Sequence, residues 1–444
     1  YNSIQLSDGS FVLGTISDGI IYLNPNGDLN YQINQNNGLG NNTVLSLFED
    51  VDKNIWLGLD KGINYIEMNA PFKIYHDRSG ELGSIYAIQI FDNNLYLGTN
   101  QGLFYREINT KTDFKLITGT EGQVWSLVIL DNQLFCGHNT GTFLVINNKI
   151  QKIPNTQGTW NIKSINDRDD ILLQGNYNGL NILEKVGATW KFKNKIKGFN
   201  NSSRYFEIGP DNEIFVNHEY KGVFRIKVDS LFNDVMEVTI DSVIKGLNSS
   251  LLKHENNVLY AYRDGVLKYN VLNRKFIKDT FLTKLYMSDD YISGKLLYDP
   301  YKKSLWSFSK TELNYITPGQ LSNQPLIHSI PLNAIMRNGV RGYESILYYK
   351  NNSYLLGTSS GYIIIDLNKL KTTESDLTIN AISINALNKK PKFVDKFVTG
   401  IFNNYENNIK FSFNVNNYEK YIETLYQYQL RGLHDNWSNW SKDH

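Results

Sequence analysis

The stretch "NNLYLGTNQGLFYRE", Asn93–Glu107, reads as an apolar run, a glycine, a polar turn that ends in a second glycine, and another apolar run. The same hairpin recurs: "KNIWLGLDKGINYIE" precedes it, and "NQLFCGHNTGTFLVI", "DILLQGNYNGLNILE" and "NSYLLGTSSGYIIID" follow it. The first glycines, Gly14, Gly58, Gly98, Gly137 and Gly175, are spaced by 44, 40, 39 and 38 residues. That is the period of four-stranded propeller blades, roughly 40 to 45 residues. Gly357 closes the series, and the interval before it holds three degenerate copies, "EIFVNHEYKGVFRIK", "NVLYAYRDGVLKYN" and "SLWSFSKTELNYIT". One such hairpin cannot bury its apolar faces alone, so the copies must stack on one another. Nine blade-like units are predicted.

Within one unit the strands fall on "TVLSLFED", "NIWLGLD", "GINYIEMN" and "FKIYHD", with turns at "DVDKN" and "NAP" rich in the residues turns use. The inner strands are nearly continuous apolar runs because stacked blades bury both sheet faces. The glycines read as structural, serving close backbone approach and positive φ; no helix follows them, which removes the phosphate-loop reading. The predicted class is all-β: a seven-bladed β-propeller over residues 80–374, preceded by the last blades of another propeller in 1–79 and followed by a partial Ig- or fibronectin-like β-sandwich in 375–444. Nine units less seven leaves the two around Gly14 and Gly58 for the preceding ring.

Composition narrows the function. Hydrophobic residues are 41% and charged residues 20% of the 444, as in a globular protein, and aromatics reach 13% with 29 Tyr against 9 Pro. The 45 basic and 44 acidic residues give a net charge of +1, which supplies no field for nucleic acid. A single cysteine, Cys136, excludes an intrachain disulfide or a cysteine-based zinc cluster and reads as a buried small hydrophobe. No apolar run approaches the ~18 residues of a membrane span. Tyr1 begins inside a repeat, with no methionine or signal-like segment, which points to an excerpt or a processed chain.

"NNGLGNNTVLSLFEDVDKNIWLGLDKGINYIE" resembles the two-component regulator propeller repeat, with its Gly-Leu lead-in, acidic turn, Trp-Leu-Gly core and second Gly; Asn37–Glu67 match nearly throughout, with Leu59 where Thr is usual. The resemblance extends over about residues 1–370 and weakens in the degenerate copies. "LYQYQLRGLHDNWSNW" resembles the triple-tyrosine domain that follows such propellers, through Tyr426, Tyr428, Leu430, Gly432 and Trp437. Tyr426, Tyr428 and Leu430 would alternate onto one strand face, as would Ile409, Phe411, Phe413 and Val415, forming a sandwich core. The family's third tyrosine is missing before His444, and the last domain reads as truncated. The resemblance implies the extracytoplasmic, periplasmic sensor of a regulator tethered to the inner membrane. Its output would be a histidine kinase or DNA-binding segment lying outside this chain, often controlling polysaccharide use.

No chemistry-bearing motif competes. HExxH and metal-like histidine spacing are absent, and adjacent carboxylates such as Asp169–Asp170 and Asp289–Asp290 point to opposite sides of an extended chain. No catalytic residue, metal site or cofactor is assigned. Binding residues are sought by position, since the loops between second and third strands and those leading into first strands share one face of a ring. The former hold His138, Tyr177, His218, Tyr220 and Arg263; the latter hold Tyr86, Trp125, Trp160, Arg204 and Tyr343. Aromatic faces there can stack on sugar rings, and Arg and His can fix hydroxyl or carboxylate groups. The expected partner is an oligosaccharide or other small polar ligand, with homodimerisation as a further expectation. A secreted polysaccharide lyase or hydrolase and a protein-docking scaffold are the alternatives.

Overall fold

The computed structural model describes residues 2–442 except 78, 111, 287–288, 320–323, 371–375, 387–388, 398–399, 407, 416 and 419–423. Ser375, where the last domain was expected to begin, and His444 lie outside the described residues. The chain divides into two compact units, one formed by Phe72–Asn368 and the other by segments on either side of it.

The first unit contains seven four-stranded antiparallel sheets. Their inner strands are Ile85–Phe91, Val124–Leu130, Thr159–Ile165, Tyr205–Ile208, Ser250–His254, Tyr291–Asp299 and Ile346–Lys350. Each inner strand neighbours the next, and the last returns to the first, so the sheets are blades of a closed propeller. Many of the hairpins joining first to second strands turn on two residues with positive φ, as at Asp92–Asn93, Asp131–Asn132 and Asn351–Asn352. Such mirror-image turns match strand twist, and Asn and Asp accept them more readily than other side chains. The apolar runs then pack between blades: Phe135, Leu144, Ile162, Leu172, Leu183 and Trp190, for instance, form one buried cluster across two blades.

The ring closes through an exchange of strands. Phe72–His76, expected as the fourth strand of the unit around Gly58, instead pairs with Gly361–Ile365 as the outer strand of the seventh blade. That correction moves the start of the ring ahead of residue 80. Its physical cause is closure: a blade made from both ends of the ring ties them with a hydrogen-bond ladder, whereas a blade made wholly from one end would leave only side-chain packing there. Tyr75 and Tyr362 stack across the seam with ring centroids 4.9 Å apart, and Arg106 of the first blade donates to the Tyr362 hydroxyl at 2.7 Å.

The second unit holds a four-stranded sheet, a three-stranded sheet of Val44–Glu49, Ile55–Leu59 and Ile63–Ile66, and a three-stranded sheet of Leu377–Asn385, Lys392–Val394 and Asn408–Val415. Leu6, Val12, Ile20, Val44, Ile55 and Leu57 pack between the first two. The tyrosine segment differs from expectation. Tyr426 bridges to Ser441 and its ring meets Phe413 at 5.1 Å, but Tyr428, Leu430, Ile409 and Phe411 are exposed rather than core. A sheet of three strands buries an apolar face only where a second layer covers it, and these side chains are left exposed.

Candidate functional site

Every blade repeats the same up-and-down order, so the inner strands run the same way and their N-terminal ends collect at one mouth of the channel. In three consecutive blades the ladder there is interrupted at the repeat glycine. Ile85 pairs with Thr99 and Ala87 with Gly98, leaving Tyr86 unpaired. Val124 pairs with His138 and Ser126 with Gly137, leaving Trp125. Thr159 pairs with Asn176 and Asn161 with Gly175, leaving Trp160. A residue squeezed out of a ladder in this way is re-aimed by the local bend. The repeat thus delivers one large aromatic per blade to the same place.

The rings meet there. Tyr86 stacks on Trp125 with centroids 5.3 Å apart, Trp125 meets Trp160 at 4.8 Å, and Trp160 meets Tyr177 at 4.8 Å. Trp125 Nε1 donates to the Tyr177 hydroxyl at 2.8 Å. Tyr343 completes the group, 4.9 Å from Tyr86 and 5.4 Å from Trp125. The Arg204 guanidinium lies 3.6 Å from the Tyr343 ring centroid and 5.7 Å from that of Trp160, and is fixed by donating to the Gly342 carbonyl. Tyr86 and Tyr177 hold their phenolic protons above the usual range, chiefly because burial disfavours the phenolate. The mouth is therefore a neutral π surface with one held cation.

The inner strands and their lead-ins also carry a charged group that the sequence reading missed. Lys163 stands three residues past Trp160, about 10 Å at the strand rise, and its Nζ pairs with Glu207 Oε1 at 2.6 Å. Lys295 is half-buried, with Nζ 4.9 Å from the Tyr205 ring centroid. Desolvation inside the ring, then the Arg204 charge, lower its pKa to about 8. Glu344 is buried, accepts from Ser293 Oγ at 3.1 Å, and has its carboxyl pKa raised by burial. The available signal was a charge inside an apolar inner strand or its lead-in, as in "WNIKSI", "RYFEI", "ISGKLL" and "GYESIL".

The remaining expected residues lie apart from this group. His138 is buried, with Nδ1 2.9 Å from Thr140 Oγ1 and Nε2 3.2 Å from the Thr120 carbonyl, so both ring nitrogens are engaged in holding a turn. This corrects its expected place among ligand contacts. His218 and Tyr220 face each other at 6.2 Å in the turn of the fourth blade, with Tyr220 exposed, and Arg263 is exposed in the fifth. Among the described residues no group of three His, Cys, Asp or Glu side chains is placed to hold a metal ion.

Residues 38–61 match the family model described as the two component regulator propeller, so the chain carries that repeat. No curated protein matches the chain by sequence. Among solved structures, it is similar to the extracellular domain of BT3049 from B. thetaiotaomicron, assigned to a hybrid two component system: 16% identity over 99% of this chain and 62% of that one, TM-score 0.74. It is also similar to the extracellular domain of BT4673 from the same organism, with 16% identity over 99% of this chain and 63% of that one, TM-score 0.51. The chain therefore spans somewhat under two thirds of the solved domains whose fold it shares.

Proposed function

We propose that this chain is part of the extracytoplasmic sensor region of a membrane-anchored regulator, and that the aromatic mouth of its ring binds a carbohydrate. The observation that carries the reading is the convergence of Tyr86, Trp125, Trp160, Tyr177, Tyr343 and Arg204 from five blades on one mouth. Sugar rings present C–H faces that stack on aromatic planes, and a closed ring holds those planes in fixed register, which lowers the ordering cost of binding. The solved domains of similar fold, described as parts of two-component systems, support the sensor role. In that role the full-length protein would be periplasmic, tethered to the inner membrane, and would control transcription through a kinase or DNA-binding output. Transmission requires that the ligand favour one arrangement of the protein, within a subunit or across a homodimer, since equal affinity for both shifts nothing.

Calorimetry against a panel of oligosaccharides tests the site. Trp160→Ala is expected to weaken binding by about 1–3 kcal/mol, roughly 5- to 150-fold, whereas Arg263→Ala, outside the group, leaves it unchanged. Unaltered affinity in both Trp125→Ala and Trp160→Ala, with folding intact by thermal melt, would place the ligand elsewhere. The purified chain is also expected to leave every bound polysaccharide uncleaved; release of oligosaccharides, lost on mutation of a channel carboxylate, would favour a lyase or hydrolase instead.

A further inference from the structure

Two groups inside the ring lack the partner their chemistry calls for. Among the described residues no hydrogen bond or ion pair reaches the Lys295 ammonium; its nearest specific contact is the Tyr205 ring. Glu344, 7% exposed, holds Oε2 against Ser293, yet its buried Oε1 has no hydrogen-bond partner. The two side chains interact electrostatically but form no ion pair, so they do not satisfy each other. Leaving the buried Glu344 oxygen unpaired costs free energy, and the half-buried Lys295 ammonium lacks a counter-ion at bonding distance. An occupant between them would relieve both.

We propose that the channel beneath the aromatic mouth seats the carboxylate of a hydroxylated ligand, the chemistry of a uronic-acid residue, with Lys295 as the cation that recognises it and Glu344 Oε1 receiving a hydroxyl. The proposal rests on the carbohydrate reading of the mouth and specifies the class of sugar. Four charged groups face Lys295: Arg204 from the lead-in to the fourth blade, Lys163 from the third, Glu207 from the fourth and Glu344 from the seventh. Lys163 and Glu207 neutralise each other at 2.6 Å. That leaves two cations, Arg204 and Lys295, facing the single carboxyl of Glu344. An anion is favoured by the two cations, a neutral ligand leaves the ammonium unpaired, and an amine is repelled.

Protonation gives a second, independent readout. The ammonium form binds the carboxylate, so affinity for an acidic sugar should be full well below pH 8 and decline as pH rises through about 8, where free Lys295 loses its proton. Binding at pH 8 should then take up protons, read by calorimetry in buffers of different ionisation enthalpy.

The experiment compares a galacturonate trimer and a glucuronate-bearing xylotriose with the matching neutral galactose trimer and xylotriose, on the purified chain and on Lys295→Met, Lys295→Arg and Trp160→Ala. At least one acidic sugar is expected to bind tenfold or more tighter than its neutral counterpart. Lys295→Met should erase that preference and the proton uptake, Lys295→Arg should keep the preference, and thermal melts should show both variants folded. Trp160-dependent binding with no preference for acid would overturn this proposal and leave the carbohydrate reading standing. Acid binding through Lys295 that ignores Trp160→Ala would keep the channel site and remove the mouth. Binding of none of the four sugars would overturn both.

Discussion

Gly361→Ala is expected to destabilise the ring by about 2–4 kcal/mol and to free its closing strand. Gly361 has φ of +143°, outside the regions that side-chain-bearing residues adopt readily, and a Cβ there would lie 2.0 Å from the Tyr75 carbonyl oxygen. The obstacle is backbone of the partner strand, so no rotamer change relieves it. Gly361 pairs with His76 at the end of the ladder joining the seventh blade to Phe72–His76. Relief therefore requires the two strands to part at the seam. Gly187→Ala is the control: its φ is +64° but nothing lies within 4 Å of an added Cβ, so only the conformational cost of about 1 kcal/mol applies. Denaturant unfolding gives the stability difference, and hydrogen exchange over residues 72–76 locates it. Equal losses in the two variants, or unchanged exchange at the seam, would show that closure does not depend on this glycine.

That strand exchange marks the boundary of what the sequence made legible. The repeat spacing identified the blades because the glycine near the end of the second strand has a local duty that recurs from copy to copy. A Cβ at Gly98 would lie 2.5 Å from Val124, and one at Gly175 would lie 2.2 Å from the Ser203 carbonyl, both at the next blade. Where the glycine is replaced, as at Asn217, the structure still forms a blade, and the Asn217 amide donates to the Ser249 carbonyl across the same gap at 2.9 Å. Which strand fills a blade's outer position is a non-local matter, and "FKIYHD" reads the same beside either partner. The mouth was legible as a position because lead-in residues converge by topology alone. Aromatics at bulges, Tyr86, Trp125 and Trp160, were found that way; His138 was not separable from them, because an end-of-strand histidine can turn inward to Thr120 as readily as outward. Lys163, Glu207, Lys295 and Glu344 were hidden for a different reason. A strand buried on both faces has no polar alternation, so its one channel-facing charge looks like a blemish in an apolar run.

Lys163→Met is expected to destabilise the ring by about 3 kcal/mol at neutral pH, because it strands the Glu207 carboxylate in the channel wall. Glu207 is 3% exposed and is paired with the Lys163 ammonium at 2.6 Å. Removing one member of such a pair leaves the desolvation cost of the other uncompensated, whereas replacing both with apolar residues removes the cost along with the attraction. Lys163→Met with Glu207→Leu is thus expected to recover most of the lost stability, and chemical denaturation of the two single variants and the double variant measures the coupling directly. The comparison separates two reasons for a charged layer in this ring. If the double variant is as stable as the parent but loses its preference for acidic sugar, the pair serves to tune the field around Lys295 and not to hold the blades together. If it stays as unstable as Lys163→Met, the pair is a structural tie between the third and fourth blades, and Lys295 and Glu344 are left as the channel's groups for ligand.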